Sequence, residues 1–314
     1  MKLLRLALAP RAAAILAALL LAFALVPRDA AAQFADERGA RVLTGALKRI
    51  KDTGGVRIGY RESAVPFSYR GPGGQPYGYS IDLCLAIVDE LADAVGRTGL
   101  RVDYVPVTPA DRILQVTAGR IDLECGATTN TSARREKVAF SPVIFVAGTQ
   151  LLVIRGSKAR SLRDLAGRSV VVVRDTANEE AMRRLLSAGT YRVQLKVADD
   201  YDAALAQVAS GTAAALAADD ILLYAYVAER GLQRQFAIVG EFLSYEPYGI
   251  MYAKHDAALD DVVRSALTRL ATSREIRTIY NRWFLRPLPS GVVLGLPMSV
   301  PLERALQLLG MPAD

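Results

Sequence analysis

The sequence has few of the side chains that most often carry out catalysis or bind metals. Among its 314 residues there are one histidine and two cysteines. The histidine, His255, lies in the charged stretch Lys254–Asp256, where we expect it to face solvent. A Ser-His-Asp set near a binding site is therefore excluded. The sequence also contains neither a metal-ligand cluster nor a glycine-rich phosphate-binding loop. We expect no metal, no cofactor and no ATP site.

Blocks of like charge and long apolar runs are missing from most of the chain. The formal net charge is +7, but the lysines and arginines are spread along the sequence, so a nucleic-acid partner is not indicated. Beyond the N-terminal region no stretch reaches the roughly 20 apolar residues of a membrane span. The length favours one large domain or two lobes, which we expect to be soluble and exported.

The N-terminal region has the pattern of a secretory signal. Basic residues precede the uncharged apolar run of residues 12–26, and Ala30–Ala32 offers a small-residue cleavage site. The basic residues are Lys2, Arg5 and Arg11. The run is shorter than a membrane span, although an uncleaved anchor stays open. No cysteine stands at the cleavage site, so lipid attachment is not indicated. We predict a signal peptide over residues 1–32.

The two cysteines, Cys84 and Cys125, are expected in an oxidising compartment. Cys84 falls on a predicted helix that should pack near the strand ending at Cys125. A disulfide between them is our hypothesis, and two buried free thiols are the alternative.

The order of apolar patterns predicts two β/α units. The first alternates strands at 56–60, 100–107 and 121–125 with a helix over 81–95, capped by Ser80, and one starting at Thr108-Pro109. The β-α-β-α-β order favours a parallel sheet with covering helices. The second unit has strands at 151–154, 169–173, 193–197 and 213–218 with helices between them. A strand at 248–252, a long helical region over 259–282 and a short tail helix near 302–309 follow.

Residues 122–141 have the composition of a carboxylate site. Gly126 turns the chain after an apolar strand, and Arg134 lies on a short helical segment beyond it. The hydroxyls between them are Thr128, Thr129, Thr131 and Ser132. N–H groups at a helix start, hydroxyl donors and a guanidinium together suit a carboxylate, which arginine grips with two nitrogens. The alternative is a polar strand-to-helix turn with a surface arginine.

Other charged residues fall at equivalent points of the two units. In parallel sheets, ligands bind beyond the carboxyl ends of the strands. The residues that follow predicted strands are Arg61, Thr108, Thr129 and Asp219. Arg112 and Arg134 lie about a turn into the helices that come next. Three arginines and one aspartate at such points predict a site in a cleft between the units.

Six short motifs stand out along the chain. They are Gly-Tyr-Arg-Glu-Ser-Ala-Val-Pro-Phe-Ser at 59–68, Gly-Tyr-Ser-Ile-Asp-Leu at 78–83, Val-Pro-Val-Thr at 105–108, Asp-Leu-Glu-Cys-Gly at 122–126, Thr-Thr-Asn at 128–130 and Phe-Ser at 140–141. These motifs resemble those of periplasmic amino-acid-binding proteins of ABC importers, especially the glutamate/aspartate-binding branch. The likeness extends over about residues 56–284 and is denser in the first half.

The resemblance implies an α/β fold of two lobes, each a mostly parallel sheet with helices on both faces. Lobe 1 would comprise residues 33–147 and 243–314, and lobe 2 residues 148–242. Two crossover hinge strands, near 145–150 and 241–249, would let the lobes close on one amino acid. The protein would be a periplasmic monomer that works with permease subunits and a separate ATPase.

The resemblance also implies roles for the site residues. Arg134 with Thr129 would hold the α-carboxylate, and Asp219 would receive the α-ammonium. Arg61 and Arg112 would face a side-chain carboxylate. The set of ligand contacts is completed by Ala127, Thr128, Thr176 and Tyr201. These charges match a buried dicarboxylic amino acid in sign and number.

The sequence departs from the branch pattern at three positions. Pro109 and Ala127 stand where the branch has serine, and Tyr201 aligns where it has histidine. Each change removes or replaces a polar contact worth about 1–3 kcal/mol if its partner is left unpaired. The arginines are retained, so an acidic ligand remains the expectation, with glutamate and aspartate not distinguished.

We expect a binding protein and not an enzyme, although other functions remain open from the sequence. A dehydratase-like enzyme on the same fold needs a cleft carboxyl or histidine with a shifted pKa. Glu62 and Glu124 are candidates by position, but the resemblance makes both structural. A sensor domain would need an anchor and a signalling domain. A binder of glutamine becomes the better hypothesis if Arg61 packs on the surface, whereas a cationic ligand is disfavoured by like charge.

Overall fold

The structure, a computed structural model, describes residues 43–313. The predicted signal peptide, residues 1–32, lies outside the described residues. Within residues 43–313 none of the helices combines the length and apolar character that a bilayer span requires.

The helices agree closely with the apolar periodicity of the sequence. They are α1 (Gly45–Thr53), α2 (Tyr79–Val95), α3 (Arg112–Thr117), α4 (Ser132–Arg135), a 3-10 helix (Leu162–Leu165), α5 (Ala177–Ser187), α6 (Tyr201–Ala209), α7 (Asp220–Glu229), α8 (Ala257–Thr272), α9 (Glu275–Phe284) and α10 (Val300–Leu308). The 3-10 helix begins with a capping box between Ser161 and Asp164, in which the Asp164 carboxylate accepts from the Ser161 N–H at 2.8 Å.

The strands form two main sheets and a small three-stranded one. They are β1 (Gly55–Tyr60), β2 (Ser63–Ala64), β3 (Ser68–Arg70), β4 (Pro76–Tyr77), β5 (Arg101–Pro106), β6 (Leu123–Glu124), β7 (Val138–Phe140), β8 (Phe145–Ile154), β9 (Ser169–Val173), β10 (Gln194–Ala198), β11 (Ala215–Asp219), β12 (Phe236–Val239), β13 (Tyr245–Tyr248) and β14 (Met251–Ala253).

The first main sheet has the order β5-β1-β6-β14-β7. β1 pairs in parallel with β5 and β6, while β14 runs antiparallel to both β6 and β7. Four of its five strands thus point the same way, as predicted. We call the part of the protein built on this sheet lobe 1.

The second main sheet has the order β10-β9-β11-β8-β12, and we call the part built on it lobe 2. β9 is parallel to β10 and β11, and β8 is the reversed strand. The β9 valines alternate between two clusters of buried residues. Val171 and Val173 pack with α6 and α7, whereas Val170 and Val172 pack with Met182 of α5. Helices therefore cover both faces of this sheet, which explains why the strand is apolar throughout.

Two strands connect the lobes. β8 begins beside β13, with Phe145 opposite Tyr248, and ends between β11 and β12 in lobe 2. β13 leads back through Gly249 into β14 of lobe 1. The predicted strand over 248–252 is therefore wrong as one element. The chain leaves one strand and enters another sheet at that point.

Two predicted helix starts are also wrong. α2 begins at Tyr79, after Gly78 with φ 140°, and Ser80 does not cap it because its hydroxyl donates to the Gly126 carbonyl at 2.8 Å. α3 begins at Arg112 rather than at Pro109. The Asp111 carboxylate accepts from the Thr108 N–H at 2.6 Å, which forms a turn before the helix.

The long helical region predicted over 259–282 is divided into α8 and α9. Arg274, with φ 62°, separates them. A left-handed residue cannot continue a right-handed helix, so the chain changes direction there.

The disulfide hypothesis is confirmed. Cys84 of α2 is bonded to Cys125, which follows β6, with the two Cα atoms 6.3 Å apart. The bond attaches α2 to the start of the 122–141 stretch and so to one wall of the predicted site.

Candidate functional site

All three predicted arginines are buried. Arg61 follows β1, Arg112 begins α3 and Arg134 lies in α4, and their exposed fractions are 9%, 3% and 5%. β1 and β6 are parallel neighbours, so the loops after them leave the same edge of the first sheet. Buried guanidiniums are costly unless they meet anions or strong acceptors. Their burial excludes the alternative of surface arginines.

The arginines also influence one another. Burial lowers the pKa of Arg61 to about 10, and the next cause is the charge of Arg112. Burial likewise lowers the pKa of Arg134 to about 10, again followed by Arg112. Arg61 and Arg134 remain protonated at neutral pH, and Arg112 adds a third guanidinium group beside them. Together they form a positive cluster, which we call the arginine cluster.

Arg134 contacts both lobes. Its Nη1 donates to the Thr129 carbonyl at 3.0 Å, and its Nη2 donates to the Asp175 carbonyl in lobe 2 at 3.4 Å. Thr131 caps α4 by accepting from the Arg134 N–H at 3.3 Å. A short helix with a fixed start thus holds the guanidinium between the lobes.

The turn before α4 brings buried hydroxyls to the same place. Ala127, Thr128 and Thr129 are 7%, 0% and 4% exposed. Among residues 43–313, the Thr128 Oγ1 and the Arg112 Nε have no hydrogen-bond partner. Buried donors are costly when unpaired. These two groups, one of them in the arginine cluster, are donors that an anionic ligand could engage.

Asp219 supplies the opposite charge. It ends β11, is 5% exposed, and accepts from the Asn178 Nδ2 at 2.8 Å and from the Tyr248 hydroxyl at 2.5 Å. Burial raises its pKa, while these two hydrogen bonds and the charges of Arg134 and Arg112 act in the other direction. The ordinary buried partner of such a carboxylate is a cation.

The other two lobe 2 residues differ in what they offer. The Thr176 hydroxyl is already engaged, because it donates to the Val173 carbonyl at 2.7 Å and accepts from the Glu179 N–H at 3.2 Å as the cap of α5. Tyr201 begins α6 and is partly buried. Burial and then Asp219 raise the pKa of Tyr201, and Arg61 opposes this rise. The charge of Arg61 in lobe 1 thus acts on a side chain of lobe 2.

Three residues of this region were not predicted. Asn178 and Tyr248 hold Asp219, and Glu246 on β13 is 3% exposed and accepts from the Ser244 hydroxyl at 2.6 Å. Burial, followed by the charge of Asp219, raises the pKa of Glu246. The sequence did carry a signal for two of them. Asn178 lies in the first turn of α5, the helix that follows β9, and Glu246 falls in a predicted hinge segment.

The side chains considered for acid–base chemistry are placed differently. Glu62 is exposed and paired with Arg70, and His255 is exposed. Glu124 is fully buried in β6. Neither Glu62 nor His255 therefore lies in the buried cluster.

Comparison with known proteins gives a consistent result. Residues 56–286 match the family described as bacterial extracellular solute-binding proteins, family 3. An L-glutamate/L-aspartate-binding protein of Pseudomonas aeruginosa is 37% identical over 274 residues, which cover 87% of this chain and 90% of that protein.

Two solved structures have a similar fold. An ancestral arginine-binding protein bound to arginine aligns with a TM-score of 0.65 and 29% identity, covering 74% of this chain and 98% of that chain. The ancestral amino acid-binding protein AncCDT-1, a precursor of cyclohexadienyl dehydratase, aligns with a TM-score of 0.66 and 28% identity, covering 76% and 99%.

Proposed function

This chain belongs to the bacterial extracellular solute-binding proteins of family 3, and on that premise we propose that it captures one acidic amino acid, glutamate or aspartate, between its lobes. The observation that carries the proposal is the burial of Arg61, Arg112 and Arg134 in lobe 1 and of Asp219 at the end of a lobe 2 strand. A dicarboxylic amino acid brings two anions and one cation, and this arrangement offers partners for each.

The proposed contacts are those that the family resemblance implies, and the burial of these side chains supports them. Arg134 and Thr129 bind the α-carboxylate, and Asp219 binds the α-ammonium. Arg61 and Arg112 bind the side-chain carboxylate. Contacts from Ala127, Thr128, Thr176 and Tyr201 complete the set. Because the Thr176 hydroxyl donates its hydrogen to Val173, it can contribute to ligand binding only as an acceptor.

The departures from the branch pattern are compatible with an acidic ligand. Pro109 lies in the turn before α3 and leaves Arg112 as the first residue of the helix. Ala127 lacks a hydroxyl, but Thr128 beside it carries one that is buried and unpaired among the described residues. Tyr201 places a phenol near Asp219 and Arg61.

We propose that the two lobes follow the boundaries predicted above, with lobe 1 over 33–147 and 243–314 and lobe 2 over 148–242. The protein acts in the periplasm after cleavage of its signal peptide. As a monomer it delivers its ligand to permease subunits of an ABC importer, which a separate ATPase drives. The name of the Pseudomonas aeruginosa relative, an L-glutamate/L-aspartate-binding protein, supports the choice of ligand.

We propose binding without turnover. A precursor of a dehydratase shares the fold, so catalysis on this scaffold is a specific alternative. It is disfavoured because Glu62 pairs with Arg70 outside the cluster and His255 is exposed.

A calorimetric titration tests the proposal. The exported chain is unfolded and refolded to remove ligand acquired during expression, and is titrated with L-glutamate, L-aspartate, L-glutamine and L-arginine. Tight one-to-one binding of glutamate or aspartate, with the ligand recovered unchanged, is expected. Binding of glutamine or arginine but neither acid refutes the acidic preference, and consumption of the ligand refutes a purely binding role.

A further inference from the structure

Glu124 lies at the centre of lobe 1. It is in β6, opposite Gly59 of β1 and Met251 of β14, and its exposed fraction is 0%. Neither of its carboxylate oxygens has a hydrogen-bond partner within residues 43–313. A buried carboxylate without donors is strongly disfavoured unless nearby charges balance it.

Asp122, a second buried carboxylate close to Glu124 in the sequence, is surrounded by hydrogen-bond donors in the usual way. Asp122 accepts from the Arg49 Nη2 at 2.5 Å, from the Arg57 N–H at 2.7 Å and from the Arg57 Nη2 at 2.8 Å. Lobe 1 can therefore surround a carboxylate with donors, and at Glu124 it does not.

The charges that balance Glu124 belong to the arginine cluster. Its negative charge raises the pKa of both Arg61 and Arg134, against the effect of burial. The surroundings of Gly126 show that Arg61 lies near Glu124. A Cβ added at Gly126 would be 2.3 Å from the Glu124 Oε1 and 3.0 Å from the Arg61 Cγ, so both side chains press on the same glycine.

We propose that Glu124 is an internal counter-charge of the arginine cluster, and that it sets the ligand charge that the pocket favours. It neutralises part of the positive charge without occupying the donors that point to the ligand. The pocket then favours an amino acid that carries one net negative charge over a dicarboxylate that lacks the ammonium group. The inference rests on the proposed function.

The test is the variant Glu124→Gln, titrated with three ligands of similar length. These are L-glutamine, L-glutamate and glutarate, with net charges of 0, −1 and −2. Coulombic free energy is proportional to ligand charge. Relative to the unchanged protein, we expect glutamine affinity to change less than twofold, glutamate affinity to rise about tenfold and glutarate affinity about a hundredfold.

The dependence on ligand charge separates this role from a structural one. The proposal is overturned if Glu124→Gln changes the affinity for all three ligands by the same factor, in either direction. It is also overturned if the affinity falls and the fall becomes larger as the negative charge of the ligand increases. Glu124→Asp keeps the charge and is expected to show no such dependence. If Glu124→Gln does not fold by circular dichroism, Glu124→Met removes the same charge and is titrated instead.

A matched control is Asp122→Asn, which also removes a buried carboxylate from lobe 1, but away from the cluster. Its effect on the three affinities is expected to be uniform, because Asp122 is neutralised by Arg49 and Arg57. Failure of the unchanged protein to bind any of the three ligands defeats the proposed function. Binding with no charge dependence in Glu124→Gln defeats only this inference.

Discussion

The Tyr248 hydroxyl donates a hydrogen bond to Asp219 Oδ2 at 2.5 Å, and this contact joins a connecting strand to the end of a lobe 2 strand. Both residues are buried. The hydrogen bond lowers the pKa of Asp219 against the effect of burial. The acceptor proposed for the ligand ammonium is therefore oriented by β13, the strand about which the lobes are expected to move.

Tyr248→Phe tests this relationship. The substitution removes the donor and leaves the ring, so the Asp219 carboxylate loses one of its two hydrogen bonds. We expect glutamate affinity to fall about tenfold, since a hydrogen bond to a charged group contributes about 1.5–3 kcal/mol. Calorimetry measures the loss.

Tyr252→Phe is the control for that substitution. The Tyr252 hydroxyl also donates to a carboxylate, Asp260 Oδ1 at 2.6 Å, but on α8. Its removal is expected to leave the affinity unchanged. Equal losses in the two variants would mean that Tyr248 acts through general stability.

Substitution of two arginines distinguishes their roles. Arg134→Ala is expected to weaken glutamate and glutamine alike by about a hundredfold or more, because both ligands have an α-carboxylate. Arg112→Ala is expected to weaken glutamate far more than glutamine. Equal losses in Arg112→Ala contradict its contact with the side-chain carboxylate.

Arg135→Ala is the matched control, since Arg135 follows Arg134 in α4 but is exposed and bonds locally to Asn130 and Ser132. It is expected to bind both ligands normally. A marked loss there would show that disturbance of α4, rather than loss of a ligand contact, explains Arg134→Ala.

Sequence periodicity was sufficient for most of the fold. The β9 valines and the β-α-β order predicted buried parallel strands, and the structure has them. It was harder to predict which of several possible partners a side chain would bond to. Ser80 was expected to cap a helix, but its hydroxyl instead bonds to Gly126, which is distant in sequence. The single strand predicted over 248–252 failed because local pattern does not show when a chain passes between sheets.

The burial of the candidate site residues was predictable where they follow strand ends. Arg61, Arg112, Arg134 and Asp219 were predicted because carboxyl ends of parallel strands meet, and all four are buried, while their contacts with a ligand stay a prediction. Glu246 was missed because its burial depends on how a connecting strand crosses between lobes. No pattern in the sequence specifies that path.

The raised pKa of Asp219 predicts how binding depends on pH. A carboxyl group with a raised pKa takes up its proton at a higher pH than an ordinary aspartate, and the neutral form no longer attracts an ammonium. As the pH is lowered, we therefore expect glutamate affinity to begin to fall at a higher pH than protonation of the ligand side chain, with its ordinary pKa of about 4.3, would produce. Titrations at several pH values measure the fall.

Tyr248→Phe provides the comparison for this pH profile. Without the hydroxyl, the pKa of Asp219 is expected to rise further, so the fall begins at a higher pH. A fall that follows only the protonation of the ligand side chain, or an unchanged profile in the variant, contradicts the assignment of Asp219 as the ammonium partner.

The disulfide between Cys84 and Cys125 should stabilise the lobe that carries the arginine cluster. It closes a loop across a sequence separation of 41 residues. Chain entropy alone gives about 4 kcal/mol for a loop of this length. The double variant Cys84→Ala/Cys125→Ala is therefore expected to lose about 2–4 kcal/mol in its free energy of unfolding, measured with urea.

Reductant provides the control for this prediction. Dithiothreitol is expected to lower the urea midpoint of the unchanged protein and to leave that of the double variant where it is. The bond attaches α2 to the start of the 122–141 stretch. Loss of the bond should therefore lower ligand affinity, as well as the free energy of unfolding, only if the 122–141 stretch becomes more mobile. Glutamate titration of the double variant decides this. An unaltered affinity with a reduced free energy of unfolding means that the disulfide stabilises lobe 1 without positioning Arg134.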